Sequence, residues 1–401
     1  MRNYIYVSIN LGFKLLSNIF IFFVLAKYWN IDQFGSFVYL VTLSSILVLI
    51  VDYGFQLNVV KTISQSENNR KFLLDSIHSK NVLAVITVIF SIIILIFLDN
   101  KQYLIFINLI ISYIINSYGI FFMLPFRAMK KNYLESIYSI ISNGLLFAFV
   151  FYSVTVNQDA FIVSIIYILS RLAGLLFAFN KFNKIYKLKI NEIFGFSNGK
   201  YQIKKNFSYA LHLIIGTLYY QIDTIFVQFF EGNHGVGLYQ SAIRIILGVL
   251  ILTEIISIVM LPILSSAFIK EKRFYEKQLK LNFTIHISVG LIFSLIIFLF
   301  SDSLIHLLYD PKFFDAIIVL KILTIVLFLR FVNSALGLML TIEDMQSERA
   351  KIVVFGLFVT IILHSIFIPL YHLEGAAFSN IIANMSLIAA YLYVIKRKRR
   401  I

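Results

Sequence analysis

The sequence of 401 residues has no cysteine, four prolines and one tryptophan, and charged residues make up only 14% of it. The absence of cysteine excludes disulfide-rich scaffolds, Cys-ligated zinc sites and cysteine nucleophiles. The scarcity of charge excludes a soluble globular protein, because soluble domains carry about 25% charged residues. Apolar residues instead reach 60%. This composition predicts an integral membrane protein.

Long apolar stretches recur along the whole chain. A helix needs roughly 20 apolar residues to cross about 30 Å of hydrocarbon. The first stretch is interpreted as such a helix and not as a signal peptide, because Lys14 interrupts it. The sequence predicts an all-α membrane protein with twelve transmembrane helices over 5–25, 34–57, 81–98, 103–125, 137–156, 159–179, 206–230, 236–264, 281–300, 315–341, 351–370 and 375–395.

The net charge of +15 is distributed very unevenly. Of the 35 Lys and Arg residues, 27 fall in the connections on one predicted face, 3 on the other and 5 inside spans. Cytoplasmic loops carry such an excess, so both termini are predicted to be cytoplasmic. The basic tail at 396–401 is interpreted as a topology signal that also meets anionic lipid head groups. No nucleic-acid partner is predicted.

The longest inner connection divides the chain into two halves of six spans each. We predict an N-terminal bundle over 1–179, a basic cytoplasmic linker over 180–205, a C-terminal bundle over 206–395 and the tail over 396–401. Phe34-Gly35-Ser36-Phe37-Val38-Tyr39 and Val236-Gly237-Leu238-Tyr239 both open the second span of a half. This similarity fits either a duplication, giving parallel repeats, or coincidence.

Catalytic and cofactor motifs are absent. Gly195-Phe196-Ser197-Asn198-Gly199-Lys200 has the wrong spacing for a phosphate-binding loop. The seven histidines, His364 and His372 among them, lack metal-ligand spacing. Every predicted outer loop is short. We therefore expect no metal, no cofactor and no enzymatic activity.

Eight ionisable residues lie inside predicted spans, where each costs about 2.5–3.5 kcal/mol near a helix centre. At 1.5 Å per residue, Asp223 and Arg244 lie at similar depth on adjacent spans. They are predicted either to form a structural ion pair or to line a transport path, and Asp223 is also a candidate for ion coupling. The eight are Lys14, Asp52, Arg171, Asp223, Arg244, Glu254, Lys321 and Arg330.

The other six have separate interpretations. Asp52 lies near the cytoplasmic end of its span and is expected to meet interfacial water or cap backbone. Glu254 either carries a coupling proton or pairs with a lysine, and Lys321 extends towards the outer face. Lys14, Arg171 and Arg330 lie near mid-depth. The positive excess suits an anionic solute, although Arg171 and Arg330 could instead bind carbonyls of broken helices.

Short sequence motifs in both halves of the chain resemble one known family. Leu25-Ala26-Lys27, Phe34-Gly35 and Asp52-Tyr53-Gly54 resemble the N-terminal pattern of bacterial polysaccharide repeat-unit flippases of the Wzx type. These belong to the multidrug/oligosaccharidyl-lipid/polysaccharide exporter superfamily. The second half shows the same likeness in Gln221-Ile222-Asp223, Val236-Gly237-Leu238-Tyr239, Ala242-Ile243-Arg244, Leu261-Pro262, Ile368-Pro369-Leu370 and Glu374-Gly375-Ala376-Ala377.

This resemblance implies two six-helix bundles around a central cavity in the bacterial inner membrane. It implies that an isoprenoid-pyrophosphate-linked oligosaccharide of the undecaprenyl type is moved to the outer leaflet for O-antigen, capsule or exopolysaccharide synthesis. Lys14, Arg171, Arg244 and Arg330 become candidate contacts for its anionic groups. Expected partners are membrane lipids and polysaccharide polymerase machinery. A drug or cation antiporter and a membrane polysaccharide polymerase are the alternatives.

Overall fold

The computed structural model describes residues 2–65, 69–196, 199–270 and 272–399. Every regular element in these ranges is helical, which confirms the predicted all-α class. Residue 1 of the predicted N-terminal bundle, residues 197–198 of the predicted linker and residues 400–401 of the predicted tail lie outside the described residues. So does residue 271, in an inner connection.

The helices of the first half are longer than the apolar stretches. The helix predicted to begin at residue 81 begins at Arg70, and the one predicted to end at residue 179 continues to Tyr186. The bounds are α1 (Arg2–Tyr28), α2 (Ile31–Asp52), α3 (Phe55–Gln65), α4 (Arg70–Leu95), α5 (Asn100–Ala128), α6 (Asn132–Ser139), a π segment (Ile140–Gly144), α7 (Leu145–Val156), α8 (Ala160–Tyr186) and α9 (Ile190–Ile193).

The second half contains two very long helices that are each interrupted once. Gly232 has φ 66° within one, and His372 has φ 51° within the other. The bounds are α10 (Gly199–Lys270), α11 (Lys272–Leu299), α12 (Ser301–Leu308), a 3₁₀ turn (Pro311–Phe313), α13 (Ala316–Ile342) and α14 (Gln346–Arg399). Each interruption divides its helix into a first arm and a second arm.

Nine helical segments of the described residues are long and apolar enough to cross a membrane. Two of them, with 61 and 53 residues, contain the interruptions of α10 and α14. At 1.5 Å per residue, each of these two is long enough for two crossings. The count of twelve stays a prediction.

The chain divides into two compact units. The first unit comprises Met1–Trp29 and Ser36–Thr217, and the second comprises Asn30–Gly35 and Leu218–Ile401. Residues 199–217 of α10 therefore pack with the first unit. Tyr219 and everything after it belong to the second. The predicted bundle boundaries at 179 and 206 stay a prediction.

A sharp bend separates α2 from α3. Tyr53 and Gly54 have φ values of 38° and 69°, a region that glycine enters without strain. A Cβ at Gly54 would lie 2.5 Å from Cβ of Tyr209, so glycine is also needed for space. The bend places the acidic end of α2 inside the first unit.

Large apolar side chains cover much of the surface. Phe97 is 82% exposed, Phe229 79% and Leu299 70%. A soluble protein rarely exposes so many large apolar groups, whereas lipid tails solvate them. Apart from the bend at Tyr53-Gly54 and the interruptions at Gly232 and at Tyr371-His372, the described backbone of the long segments is helical, as hydrocarbon favours. The surface therefore fits the membrane environment that the composition predicts.

Candidate functional site

The first unit buries an acid–base pair beside the bend. Nζ of Lys80 lies 3.4 Å from Oδ1 of Asp52 and donates to the carbonyl of Val51 at 3.1 Å. The Ser117 hydroxyl accepts from Lys80 and donates to Asp52. Lys80 is 1% exposed. The lysine therefore binds the carboxyl end of α2, where a cation is favoured.

Aromatic rings surround this lysine. Its Nζ lies 5.9 Å from the ring centroid of Phe55, 5.3 Å from that of Tyr118 and 5.8 Å from that of Phe121. The sequence places Lys80 in a connection between two predicted spans, and the structure places it within a helix, because α4 begins ten residues earlier. Asp52, expected to meet interfacial water or cap backbone, instead meets Lys80.

The predicted linker docks on α4. Arg70 contacts both carboxylate oxygens of Glu192, at 2.7 and 2.9 Å. Asn81 donates to the carbonyls of Ile193 and Gly195, at 2.8 and 3.0 Å. The backbone N–H of Lys189 and the Arg70 guanidinium hold the pKa of Glu192 below its ordinary value. This stretch is thus part of the first unit and not a free connection.

Arg171 is held by the π segment. Its Nη1 donates to Oγ of Ser142 and to Oδ1 of Asn143, both at 2.8 Å. The side chain is 8% exposed. A π segment widens a helix locally and turns side chains that a regular helix would point elsewhere. Lys14, the other candidate cation of this unit, is exposed on α1.

Asp223 lies at the centre of a buried cluster in the second unit. Its Oδ2 accepts hydrogen bonds from the Tyr239 hydroxyl at 2.8 Å and from Nδ2 of Asn380 at 2.9 Å. Its Oδ1 lies 3.1 Å from Nε2 of His364. The structure corrects the predicted partner: among the described residues the ion-pair partner of Asp223 is His364 and not Arg244.

Arg330 is buried without a complete set of partners. The side chain is 6% exposed and its guanidinium lies 5.2 Å from the ring centroid of Tyr220. Its Nε has no hydrogen-bond partner among the described residues. Tyr220 is 57% exposed. The pair is therefore a cation held on an aromatic face that has one open side.

Asparagines connect these two features. Nδ2 of Asn333 donates to Oδ1 of Asn384 at 3.1 Å, and Asn384 donates to the carbonyl of Asn380 at 2.8 Å. The Tyr219 hydroxyl also reaches Asn384, at 3.4 Å. Polar side chains therefore link Asn333 to Asp223, and Asn333 follows Arg330 by one turn of α13. We call these residues the second-unit network.

The remaining predicted residues lie elsewhere. Arg244 is half-buried and Glu254 exposed on the second arm of α10. Lys321 on α13 forms an ion pair at 2.9 Å with Asp302, which lies on α12 in the connection between α11 and α13. The described residues contain no group of three or more His, Asp or Glu side chains arranged for a metal.

Lys80 and His364 are not among the candidate residues predicted from the sequence. The sequence did contain a signal for both residues, because the two members of an ion pair must lie at the same depth in the membrane. Asp52 lies near the cytoplasmic end of the predicted span 34–57, and Lys80 immediately precedes the next span. Asp223 and His364 each lie about two turns from the predicted outer end of a span.

Solved structures show the same fold. The chain matches a structure titled as the lipid II flippase MurJ in an inward closed conformation, with a TM-score of 0.77 and 18% identity over 97% of this chain and 87% of that one. It also matches an inward-facing multidrug resistance transporter of the MATE family, with a TM-score of 0.75 and 15% identity over 98% of both chains. The fold is that of a multi-pass helical transporter.

Relatives in sequence are similarly distant but cover the full length. A protein of Escherichia coli strain K12, whose name assigns it O-antigen transport, is 23% identical over 100% of this chain and 97% of its own. The capsular polysaccharide biosynthesis protein CapF of Staphylococcus aureus is 22% identical over 99% of both. The family model for polysaccharide biosynthesis proteins matches residues 1–268. The chain belongs to this family.

Proposed function

We propose that this protein is a flippase that moves an isoprenoid-pyrophosphate-linked oligosaccharide from the inner to the outer leaflet of the bacterial cytoplasmic membrane. Membership in the polysaccharide biosynthesis family supports the product class, and the multi-pass fold supports transport. The named roles of the two sequence relatives point the same way. The oligosaccharide is a repeat unit of O-antigen, capsule or exopolysaccharide.

The observation that carries the substrate class is the geometry of Arg330. Burying a guanidinium with an unpaired N–H is costly unless something completes its hydrogen bonds. Arginine matches phosphate oxygens in a planar, bidentate geometry. The adjoining open face of Tyr220 offers a flat surface for a sugar ring. A pyrophosphate with a sugar attached would meet both groups at once.

The polar interior replaces the hydration that hydrocarbon cannot supply. The isoprenoid tail stays in the bilayer while only the head group crosses. A head group with about two negative charges gains roughly 4–5 kcal/mol on moving outward through about 100 mV. The membrane potential is therefore large enough to drive transport without a coupled ion.

The topology, the helix count and the other candidate residues of this proposal rest on the sequence. Both termini lie in the cytoplasm, and twelve helices cross the membrane in two six-helix groups. Lys14 and Arg244 remain further candidate contacts for anionic groups, Arg171 is a candidate either for such a contact or for holding helices together, and Asp223 and Glu254 are candidates for ion coupling or an ion pair. Polysaccharide polymerase machinery takes up the translocated unit.

Deletion of the gene in its host tests the proposal. We expect loss of surface polymer and accumulation of single lipid-linked repeat units that externally added enzymes cannot reach. Units that are accessible but unpolymerised would assign the protein to polymerisation. Unchanged polymer with new sensitivity to cationic drugs would assign it to drug antiport. A plasmid copy of the wild type should restore the polymer and serves as the control.

A further inference from the structure

A carboxylic acid and an imidazole are buried against each other inside the second unit. Asp223 is 3% exposed, and its partner His364 is 0% exposed at an Oδ1–Nε2 distance of 3.1 Å. Buried ionisable groups at this depth are costly and mark functional sites more often than structural ones.

The hydrogen bonds define where a proton can reside. Oδ2 of Asp223 already accepts two hydrogen bonds, from Tyr239 and Asn380. Oδ1 faces only Nε2 of His364, which packs edge-to-face on the ring of Phe226. Nδ1 of His364 has no hydrogen-bond partner among the described residues. Oδ1 and Nε2 lie 3.1 Å apart but do not form a hydrogen bond in this arrangement, so a proton on the imidazole would balance the carboxylate by charge.

The charged and titratable groups that face this pair come from several helices. Tyr219 and Tyr239 lie on the two arms of α10, and Arg330 on α13 acts electrostatically on Asp223. The second arm of α14 contributes Asn380 near the pair and Tyr391 near Tyr219. On the second arm of α10, Arg244 acts on Tyr309. Asp223 and Arg330 are thus the fixed opposite charges, and His364 is the group whose charge can change.

We propose that Asp223 and His364 form a proton-binding site whose occupancy sets the strength with which Arg330 binds an anion. This proposal rests on the proposed function, since Arg330 is there assigned to the anionic head group. Without the proton, the carboxylate attracts Arg330 and competes with the ligand. With the proton, the imidazolium balances the carboxylate, and Arg330 presents its full charge to the ligand.

Linkage fixes the sign of the effect. The proton and the anion favour each other, so affinity for the anion rises as pH falls through the range in which histidine titrates, about pH 5 to 8. By reciprocity, binding of the anion draws a proton into the pair. One linked proton changes affinity by at most about tenfold for each pH unit.

Calorimetry on the purified full chain measures this directly. The probe is P¹,P²-dimethyl pyrophosphate, a diester whose charge stays constant over the range in which histidine titrates. Titrations in two buffers of different ionisation enthalpy give the number of protons taken up per anion bound. We expect the wild type to take up a fraction of a proton and to lose about three- to tenfold in affinity from about pH 5.5 to about pH 8.

Two variants and one control locate the proton. His364→Gln and Asp223→Asn should both bind the anion with no proton uptake and a flat pH profile. Two variants are used because either could fold poorly. The control is His286→Gln: this histidine is also 0% exposed in the second unit, but its Nδ1 lies 2.9 Å from the carbonyl of Asn282 in its own helix. It should behave as the wild type.

The outcomes separate this inference from the proposed function. Binding that is lost in Arg330→Gln but shows no proton uptake in the wild type would overturn the proton site and leave the flippase intact. Uptake that persists in both His364→Gln and Asp223→Asn would also overturn it. Binding that does not depend on Arg330 would overturn both the anion contact and its linkage to the proton.

Discussion

Two buried arginines, one in each unit, differ in how completely they are bound. Arg171 is 8% exposed and Arg330 is 6% exposed. Arg171 donates to Ser142 and Asn143, whereas Nε of Arg330 has no hydrogen-bond partner among the described residues. The two arginines therefore have nearly the same burial and the same charge. They differ in how many of their N–H groups are hydrogen-bonded. We infer that Arg171 holds helices together and that Arg330 meets a ligand.

The acid–base pairs of the two units repeat this contrast. Asp52 and Lys80 are of opposite fixed charge, with Ser117 between them. Asp223 instead faces the imidazole of His364. The first unit thus holds its bend with a buried ion pair. The second unit instead contains buried groups that can bind an anion or exchange a proton.

The largest expected effect is on the first unit. Lys80→Met leaves the carboxylate of Asp52 without its cation, and breaking a buried pair in this way costs about 3–5 kcal/mol. We expect SDS-induced unfolding of the purified protein to show this loss in the free energy of unfolding. The double variant Asp52→Asn/Lys80→Met should recover part of it. Lys351→Met, which breaks an exposed pair with Glu348, is the matched control and should change little. A Lys80→Met protein as stable as the wild type would contradict the structural role.

The next effect separates the two arginines. Arg171→Gln leaves Ser142 and Asn143, which are 0% and 5% exposed, without their donor, and this costs about 1–3 kcal/mol. Unfolding of the variant measures the loss. Transport per folded molecule should stay near the wild-type value. If transport were lost while stability was retained, Arg171 would be a substrate contact, as the sequence analysis predicts.

Much of this architecture could be predicted from the sequence, because hydrophobic length and charge placement follow from the membrane itself. The apolar stretches located the long helices, although α4 and α8 continue past these stretches with polar residues, and they did not predict the bend after α2, the π segment or the short helices α3, α9 and α12. Matching depth made His364 a possible partner of Asp223, but the sequence could not single it out. Tyr239, His364 and Asn380 are distant along the chain or on another helix, and periodicity does not specify which helices pack together.

The same limit applies to arginine. Arg171 and Arg330 have equal standing in the sequence, as single cations near the middle of apolar stretches. Only the π segment distinguishes them, because it turns Ser142 and Asn143 towards Arg171. No residue type in Ile140–Gly144 predicts that local widening. The functional difference therefore became visible only with the side-chain partners.

The effect on Arg330 should appear in transport and not in folding. Arg330→Gln removes a charged hydrogen-bond donor to the head group, which corresponds to at least about a tenfold loss of surface polymer synthesis. The lost contact with Tyr220 costs only about 0.5–1 kcal/mol of stability. Complementation of the deletion strain, normalised to protein abundance in the membrane, measures both.

Three further variants sharpen this result. Arg330→Lys keeps the charge but loses the planar fork, so it should retain part of the activity. Tyr220→Phe keeps the ring and should resemble the wild type. Arg349→Gln removes another arginine of the second unit, one that donates to Thr341 at 2.7 Å, and is the matched control. Equal losses in the Arg330 and Arg349 variants would argue against a specific anion contact.

The smallest effect concerns the docked segment that follows α8. Because the folded protein lowers the pKa of Glu192 below the ordinary value of 4.5, its ionised form stabilises the docking. This contribution is present above the ordinary pKa and is lost as pH falls through the lowered one. Hydrogen exchange of residues 190–195 should therefore accelerate only in acid.

The variant Glu192→Gln should show this faster exchange already at neutral pH. The effect should be weak, since exposed pairs contribute little. Glu276→Gln, an exposed carboxylate on α11, should leave this exchange unchanged. Equal acid acceleration in Glu192→Gln and the wild type would assign the acid effect to another group.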